Sequence, residues 1–278
     1  MRHYTCIAAL AGFTFSGAAL AAAPAVPAAV AASVADTGRP EADRARDVNR
    51  KPGEVLAFAG VKPGDRIGEL QPGRGYYTRL LCKTVGAGGR VYTISFMPNA
   101  AARGPAPPDA PRAAGQGGGG QAGGGQGGGA GATPAVPTAA EYCGGNVTAN
   151  SASGASFAMP ANNLDLVWTS ENYHDFHLEM MGLPSLQSFN KTVYDSLKPG
   201  GVFIVEDHAA AADSGTRDTT TLHRIDPATA IQEITSVGFV LEAQSNLLAN
   251  AADDHTQRVF ALGGKSDKFL LKFRKPAR

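Results

Sequence analysis

The chain of 278 residues has three cysteines, one tryptophan and no sustained run of basic side chains. Each shortage excludes something. The cysteines, Cys6, Cys82 and Cys143, lie too far apart for any zinc-motif spacing. Lysine plus arginine total 25 against 24 acidic residues, with the two signs interspersed. A nucleic-acid footprint or an anionic membrane patch needs basic side chains gathered in one place, so neither partner is expected. No internal repeat is visible. The remaining expectation for a partner is a small-molecule substrate.

Glycine and proline are plentiful and unevenly placed. Arg2 and His3 open a polar start, and Tyr4 to Ala23 is an apolar run. Ala19 and Ala21 then supply the small residues at the spacing a signal peptidase accepts. Residues 1–22 are therefore expected to be a cleaved signal peptide, making the protein periplasmic or secreted, with no stable membrane insertion after cleavage. An uncleaved anchor is the alternative, disfavoured because alanine and glycine partition weakly into hydrocarbon. Cys6 goes with the signal. Residues 23–40, mostly Ala, Pro and Val, read as a disordered leader. Residues 99–140 are dominated by Pro, Ala, Gly and Gln, bury too little apolar surface to offset ordering entropy, and read as a disordered insertion. Cys82 and Cys143 remain. Two separate buried thiols are the favoured reading, and a disulfide is the alternative in an oxidising compartment.

Between these segments the pattern alternates strand and helix across 41–278, read as a single domain. Glu41 to Arg50 is charged and helix-favouring, and Pro52 starts a helix that stops at Gly60. Arg66–Leu70 reads as a strand, Tyr76–Val85 as a helix and Val91–Ile94 as a second strand. Strand, glycine turn, helix, strand is a βαβ unit and implies a parallel sheet. Strands follow near Val147, at Leu164–Thr169, Val202–Val205, Phe239–Ala243 and Lys268–Phe273. Helices are expected at Leu183–Leu197 and from Pro227, capped by Asp226, to Val237. Seven strands with helices between most of them make a doubly wound α/β fold.

Glu69-Leu70-Gln71-Pro72-Gly73-Arg74-Gly75 resembles the first motif of class I S-adenosylmethionine-dependent methyltransferases. Leu164–Thr169 stands at their fourth strand, Leu197-Lys198-Pro199-Gly200-Gly201 resembles their turn into the fifth, and Gly238-Phe239 follows the next helix. Tyr76-Tyr77-Thr78, Asn172-Tyr173-His174-Asp175, Glu206-Asp207-His208 and Leu222-His223-Arg224-Ile225 look like a narrower group of predicted bacterial methyltransferases that often carry signal peptides. The resemblance covers roughly residues 43 to 98 and 141 to 276. It implies a Rossmann-like, mostly parallel seven-stranded sheet with helices on both faces and an antiparallel last strand. It also implies S-adenosylmethionine as cofactor, with Glu69, Gln71, Gly73, Gly75, Tyr77, Ser95 and Ser170 as its contacts. Three positions depart from the family. Gln71 replaces the first glycine, Ser95 replaces the acid that binds the ribose hydroxyls, and Ser151–Ser156 lacks the acid that contacts adenine. A serine hydroxyl cannot replace a bidentate carboxylate.

Polar residues gather after the fourth and fifth strands. His174 is the first candidate for a general base acting on a methyl acceptor, oriented by Asp175 or Glu206, with Asn172, His208 and His223 beside it. A metal reading would use His174, Asp175, His177, Asp207 and His208, but no ligand spacing there is diagnostic and no metal set is assigned. Salt bridges to Asp218 and Asp226 are the expected fate of Arg217 and Arg224. Three functions remain open: a methyltransferase of unknown small acceptor, a protein of the same fold that has lost its cofactor and serves as a binding or scaffolding module, and a metal-assisted hydrolase built on the histidines.

Overall fold

The computed structural model describes residues 25–97, 138–159 and 162–277. The expected signal peptide lies outside the described residues, as does the expected insertion up to residue 137. Among the described residues no helix is long and apolar enough to cross a membrane.

The expected leader is not unstructured over its described part. Residues Ala28–Ala35 form helix α1, which packs on two later helices and buries Val30 and Ser33. Ser33 Oγ donates to the Val30 carbonyl at 2.8 Å and accepts from Thr84 Oγ1 at 2.9 Å. Scarcity of polar anchors predicts disorder. Alanine, however, is the best helix former, and its small side chain lets α1 lie close against a neighbour. Short helices α2 (Glu41–Arg44) and α3 (Asp47–Arg50) follow, then α4 (Pro52–Ala59), which begins on Pro52 and ends at left-handed Gly60.

The alternating region runs β1 (Arg66–Leu70), α5 (Tyr76–Val85), β2 (Arg90–Met97), α6 (Ala139–Cys143), β3 (Val147–Ser153), β4 (Leu164–Ser170), α7 (Leu186–Ser196), β5 (Leu197–His208), α8 (Pro227–Thr235), β6 (Val240–Ser245) and β7 (Lys268–Arg274). The sheet has seven strands in the order β3-β2-β1-β4-β5-β7-β6. β7 is antiparallel to both its neighbours and the other pairings are parallel. This is the expected doubly wound architecture. The expected turn at Lys198–Gly201 is absorbed into β5, which pairs with β4 from Leu197 onward past a register shift.

Both faces of the sheet are covered. On one, Val167, Phe203 and Val205 pack with Phe176, Phe189 and Phe239. On the other, Leu166, Trp168 and Ile204 pack with Tyr77, Leu80 and Leu56. The two-residue strand period thus sends neighbours in β4 and β5 to opposite sides. β1 sits between β2 and β4, so chain connections leave it in opposite directions and open a crevice at its carboxyl end.

Cys82 and Cys143 form a disulfide with Cα atoms 5.8 Å apart, joining α5 to α6. The favoured expectation of two separate thiols is corrected. Asn146 donates to the carbonyls of Cys82 and Gly86 at 2.9 and 3.0 Å, which holds the start of β3 against the end of α5.

Candidate functional site

The crevice at the end of β1 is lined first by the turn from Glu69 to Gly75. Glu69 is buried and accepts from Thr78 Oγ1 at 2.6 Å. Burial pushes its carboxyl up to about 7, against the pull of Thr78 and Arg79. Gln71, Gly73 and Gly75 all adopt left-handed backbone, with φ of 49°, 56° and 79°. Gln71 therefore takes the conformation that favours the glycine it replaces. Its amide compensates, since Gln71 Oε1 accepts from the Phe96 backbone at 2.7 Å and ties the turn to β2. At Gly75 a Cβ would lie 2.9 Å from that of Ala139. Tyr77 packs on Trp168 with ring centroids 4.7 Å apart, and its hydroxyl lies beside Glu206. Ser95 is half-buried and stands opposite Ser151 in β3.

The end of β4 meets this turn. Asn172 Nδ2 donates to the Gln71 carbonyl at 3.3 Å and to that of Ser170. Ser170 Oγ donates to Glu206 Oε2 at 3.0 Å. Glu171, with φ of 58°, pairs with Arg50 and with Lys268 Nζ at 3.3 Å. Arg50 is buried, and its guanidinium lies over the rings of Tyr76 and Tyr77 at 4.9 and 5.6 Å. Burial would raise the Glu171 carboxyl, but Arg50 together with His208, Lys268 and Arg46 outweighs it and holds the group well below the usual carboxylate range. Glu206 goes the other way, raised by burial and by the Glu171 charge beside it. Arg50 was missed in the sequence. Its only signal was membership of the charged segment Glu41–Arg50.

A second cluster occupies the opposite face. His174 is buried, and its Nδ1 lies 2.8 Å from Asp207 Oδ1. Asp207 also accepts from the backbone N–H groups of His174 and His208, each at 2.7 Å. The acid that orients His174 is thus Asp207. The expected alternative, Glu206, follows the even-numbered residues of β5 to the Trp168 side, where it meets Ser170. On the other edge of the ring, His174 Nε2 lies 3.2 Å from Asp175 Oδ1 and 3.3 Å from His223 Nδ1. Burial alone would lower the His174 pKa, but Asp207 and Asp175 outweigh it and hold it up at about 10. His208 lies behind, its Nδ1 2.7 Å from Ser266 Oγ, with burial pushing its pKa down to about 4. His177 points elsewhere and pairs with Glu233 Oε1 at 2.9 Å. Arg217 pairs with Asp218 as expected, whereas Arg224 pairs with Asp253 and leaves Asp226 to cap α8 through the Ala228 N–H.

Sheet order, left-handed turn and crevice can be set beside solved proteins. The chain is similar to the 4+2 cyclase SpnF, with TM-score 0.50 and 16% identity over 88% of this chain and 86% of that one. It is also similar to a S-adenosylmethionine-dependent methyltransferase from Aquifex aeolicus, with TM-score 0.48 and 15% identity over 82% and 89% of the two chains. Another such methyltransferase, from Mesorhizobium loti, matches with TM-score 0.46 and 16% identity over 79% and 95%. The fold is a Rossmann-like doubly wound α/β fold, shared with SpnF. No family model matches the chain, and no curated protein matches its sequence. At such identities the likeness concerns fold, and function has to be argued from the site.

Proposed function

We propose that the protein is a S-adenosylmethionine-dependent methyltransferase acting on a small-molecule acceptor. The observation that carries this is the left-handed turn Gln71–Gly75 over a buried acid, joined to the end of β4 through Asn172. The residues present fit the methionine half of the cofactor. Glu69 supplies a carboxylate for an ammonium group, and the start of α5 supplies backbone N–H groups. Gly73 has nothing within 4 Å of where a Cβ would stand, so the turn presents bare backbone. Toward the ribose half, Ser95 at the end of β2 offers a hydroxyl, which can make one hydrogen bond where a carboxylate would make two. When bound, the cofactor supplies a methyl group already activated on a sulfonium, so holding the acceptor in line is the main task left to the protein. Ser170 and Asn172, fixed at the crevice by Glu206 and Gln71, are the side chains that border that line.

Export belongs to the same reading. The Cys82–Cys143 disulfide is at home in an oxidising compartment, and the apolar N-terminal run with Ala19 and Ala21 suits a signal peptide, as in the bacterial methyltransferases the motifs resemble. N-terminal sequencing of the protein recovered from the periplasm or medium is expected to begin near residue 23. Recovery only from the cytosol with Met1 intact would remove this part of the reading.

Calorimetric titration of the folded protein with S-adenosylmethionine and S-adenosylhomocysteine tests the activity. Binding of either in the micromolar range, lost in Glu69→Ala, is expected. No heat up to millimolar ligand would leave a binding or scaffolding module, the reading that the serine at position 95 favours.

A further inference from the structure

The cluster on the far side of β5 has a geometry the methyl-transfer reading does not use. His174 Nε2, Asp175 Oδ1 and His223 Nδ1 form a nearly equilateral triangle with sides of 3.2, 3.3 and 3.5 Å. Two ligand atoms each about 2.1 Å from one ion, at a tetrahedral angle, stand about 3.4 Å apart. Three such atoms therefore describe one face of a tetrahedral site. We infer that His174, Asp175 and His223 bind a divalent transition metal, zinc first among them, with the fourth position open.

Two independent features of the surroundings support a built site. Asp207, wholly buried, holds the other nitrogen of His174 at 2.8 Å and the backbone N–H of the same residue at 2.7 Å. A carboxylate behind a ligating imidazole fixes the ring's tautomer and direction and raises its basicity as a ligand. His223 is held from its own side. It sits at φ of 57°, uncommon for a non-glycine residue, and the following Arg224 is fully buried. Arg224 donates to the Ala209 carbonyl at 2.9 Å, to Asp253 at 3.0 Å and to the Gln257 carbonyl at 3.1 Å. That anchorage keeps the His223 ring against His174 with centroids 5.4 Å apart. Strained backbone maintained by its surroundings is found where a side chain must be aimed.

The donor set selects the ion. Two imidazole nitrogens and one carboxylate oxygen suit zinc and its divalent neighbours and are poor for calcium or magnesium, which prefer oxygen. Asp175 and His223 keep 25% and 20% of their side-chain surface exposed, so the cluster opens to solvent on their side. A water or a small oxygen or sulfur ligand entering there would lose its proton to solvent more readily once on the ion. The site needs no sulfonium cofactor, so it stands or falls apart from methyl transfer.

The test is equilibrium titration of the chelator-treated full chain with Zn²⁺, and with Co²⁺ read by visible absorption, both without S-adenosylmethionine. One equivalent bound, with the intense visible bands of tetrahedral cobalt, is expected. His223→Ala and Asp175→Asn should each weaken binding at least tenfold, and Asp207→Asn about 10- to 100-fold without changing the stoichiometry. His255→Ala, which removes a histidine paired with Asp267 outside the triangle, should change nothing. Circular dichroism establishes that each variant folds, and His223→Ala, on the exposed side, is the variant least coupled to the core. Absence of binding, undiminished binding by His223→Ala, or equal loss in His255→Ala would each overturn the proposal.

Discussion

Gln71 combines two opposing effects in one residue. Its left-handed backbone costs about 1–2 kcal/mol relative to glycine, and the bond from the Phe96 N–H to its side chain returns about 1 kcal/mol. Gln71→Gly is therefore expected to change unfolding free energy by less than about 1 kcal/mol, measured by urea denaturation. A larger loss would mean that the amide tie is worth more than the strain. Glu69 makes a pH-dependent contribution. Its carboxyl, raised from 4.5 to about 7 in the folded protein, keeps a proton that the unfolded chain has released. Its contribution to stability is thus intact below about pH 4.5 and declines as pH rises through 7, by a total of about 3 kcal/mol. Ligand binding should run the other way. An ammonium group prefers the ionised acid, so affinity for S-adenosylmethionine is expected to rise between about pH 6 and pH 8. A flat profile in the wild type, or an unchanged one in Glu69→Gln, would detach this acid from the cofactor.

At the scale of elements, α1 and the disulfide are the parts that composition hid. An Ala-rich run has the same letters whether it trails in solvent or packs on α5, and the deciding contact, Thr84 to Ser33, spans 51 positions. Cysteine pairing is likewise a matter of distance in space. By contrast β1, α5 and the α8 start were legible because their signals are local: glycine at the turn, proline at the first helical position, aspartate at the cap. The site divided in the same way. Ser170, Asn172 and the turn lie close in chain or in neighbouring strands and were identified together. Arg50 and the Asp207 partnership were not, because each depends on which face of a strand or which end of a helix a residue reaches. The disulfide closes a loop of 61 positions, for which chain entropy alone gives about 4 kcal/mol. Cys82→Ser is expected to lower stability by about 2–4 kcal/mol in thermal unfolding, and an unchanged midpoint would show that α6 holds without it.

Across the whole molecule, β5 separates two polar clusters. Glu206 meets Ser170 at the crevice beside Trp168 and Asp207 meets His174 on the other face, so adjacent residues face separate clusters. Their independence is measurable. Asp207→Asn should leave S-adenosylhomocysteine affinity within about twofold, since Asp207 and Glu206 share no hydrogen-bond partner. A larger change would show that the sheet couples them.

The bond between α5 and α6 also spans the segment joining β2 to α6. A protease that cuts once anywhere between Cys82 and Cys143 divides the polypeptide but not the covalent molecule. Such nicked protein would migrate as one species on a non-reducing gel and as two after dithiothreitol, so a preparation could look intact while its main chain is in two pieces.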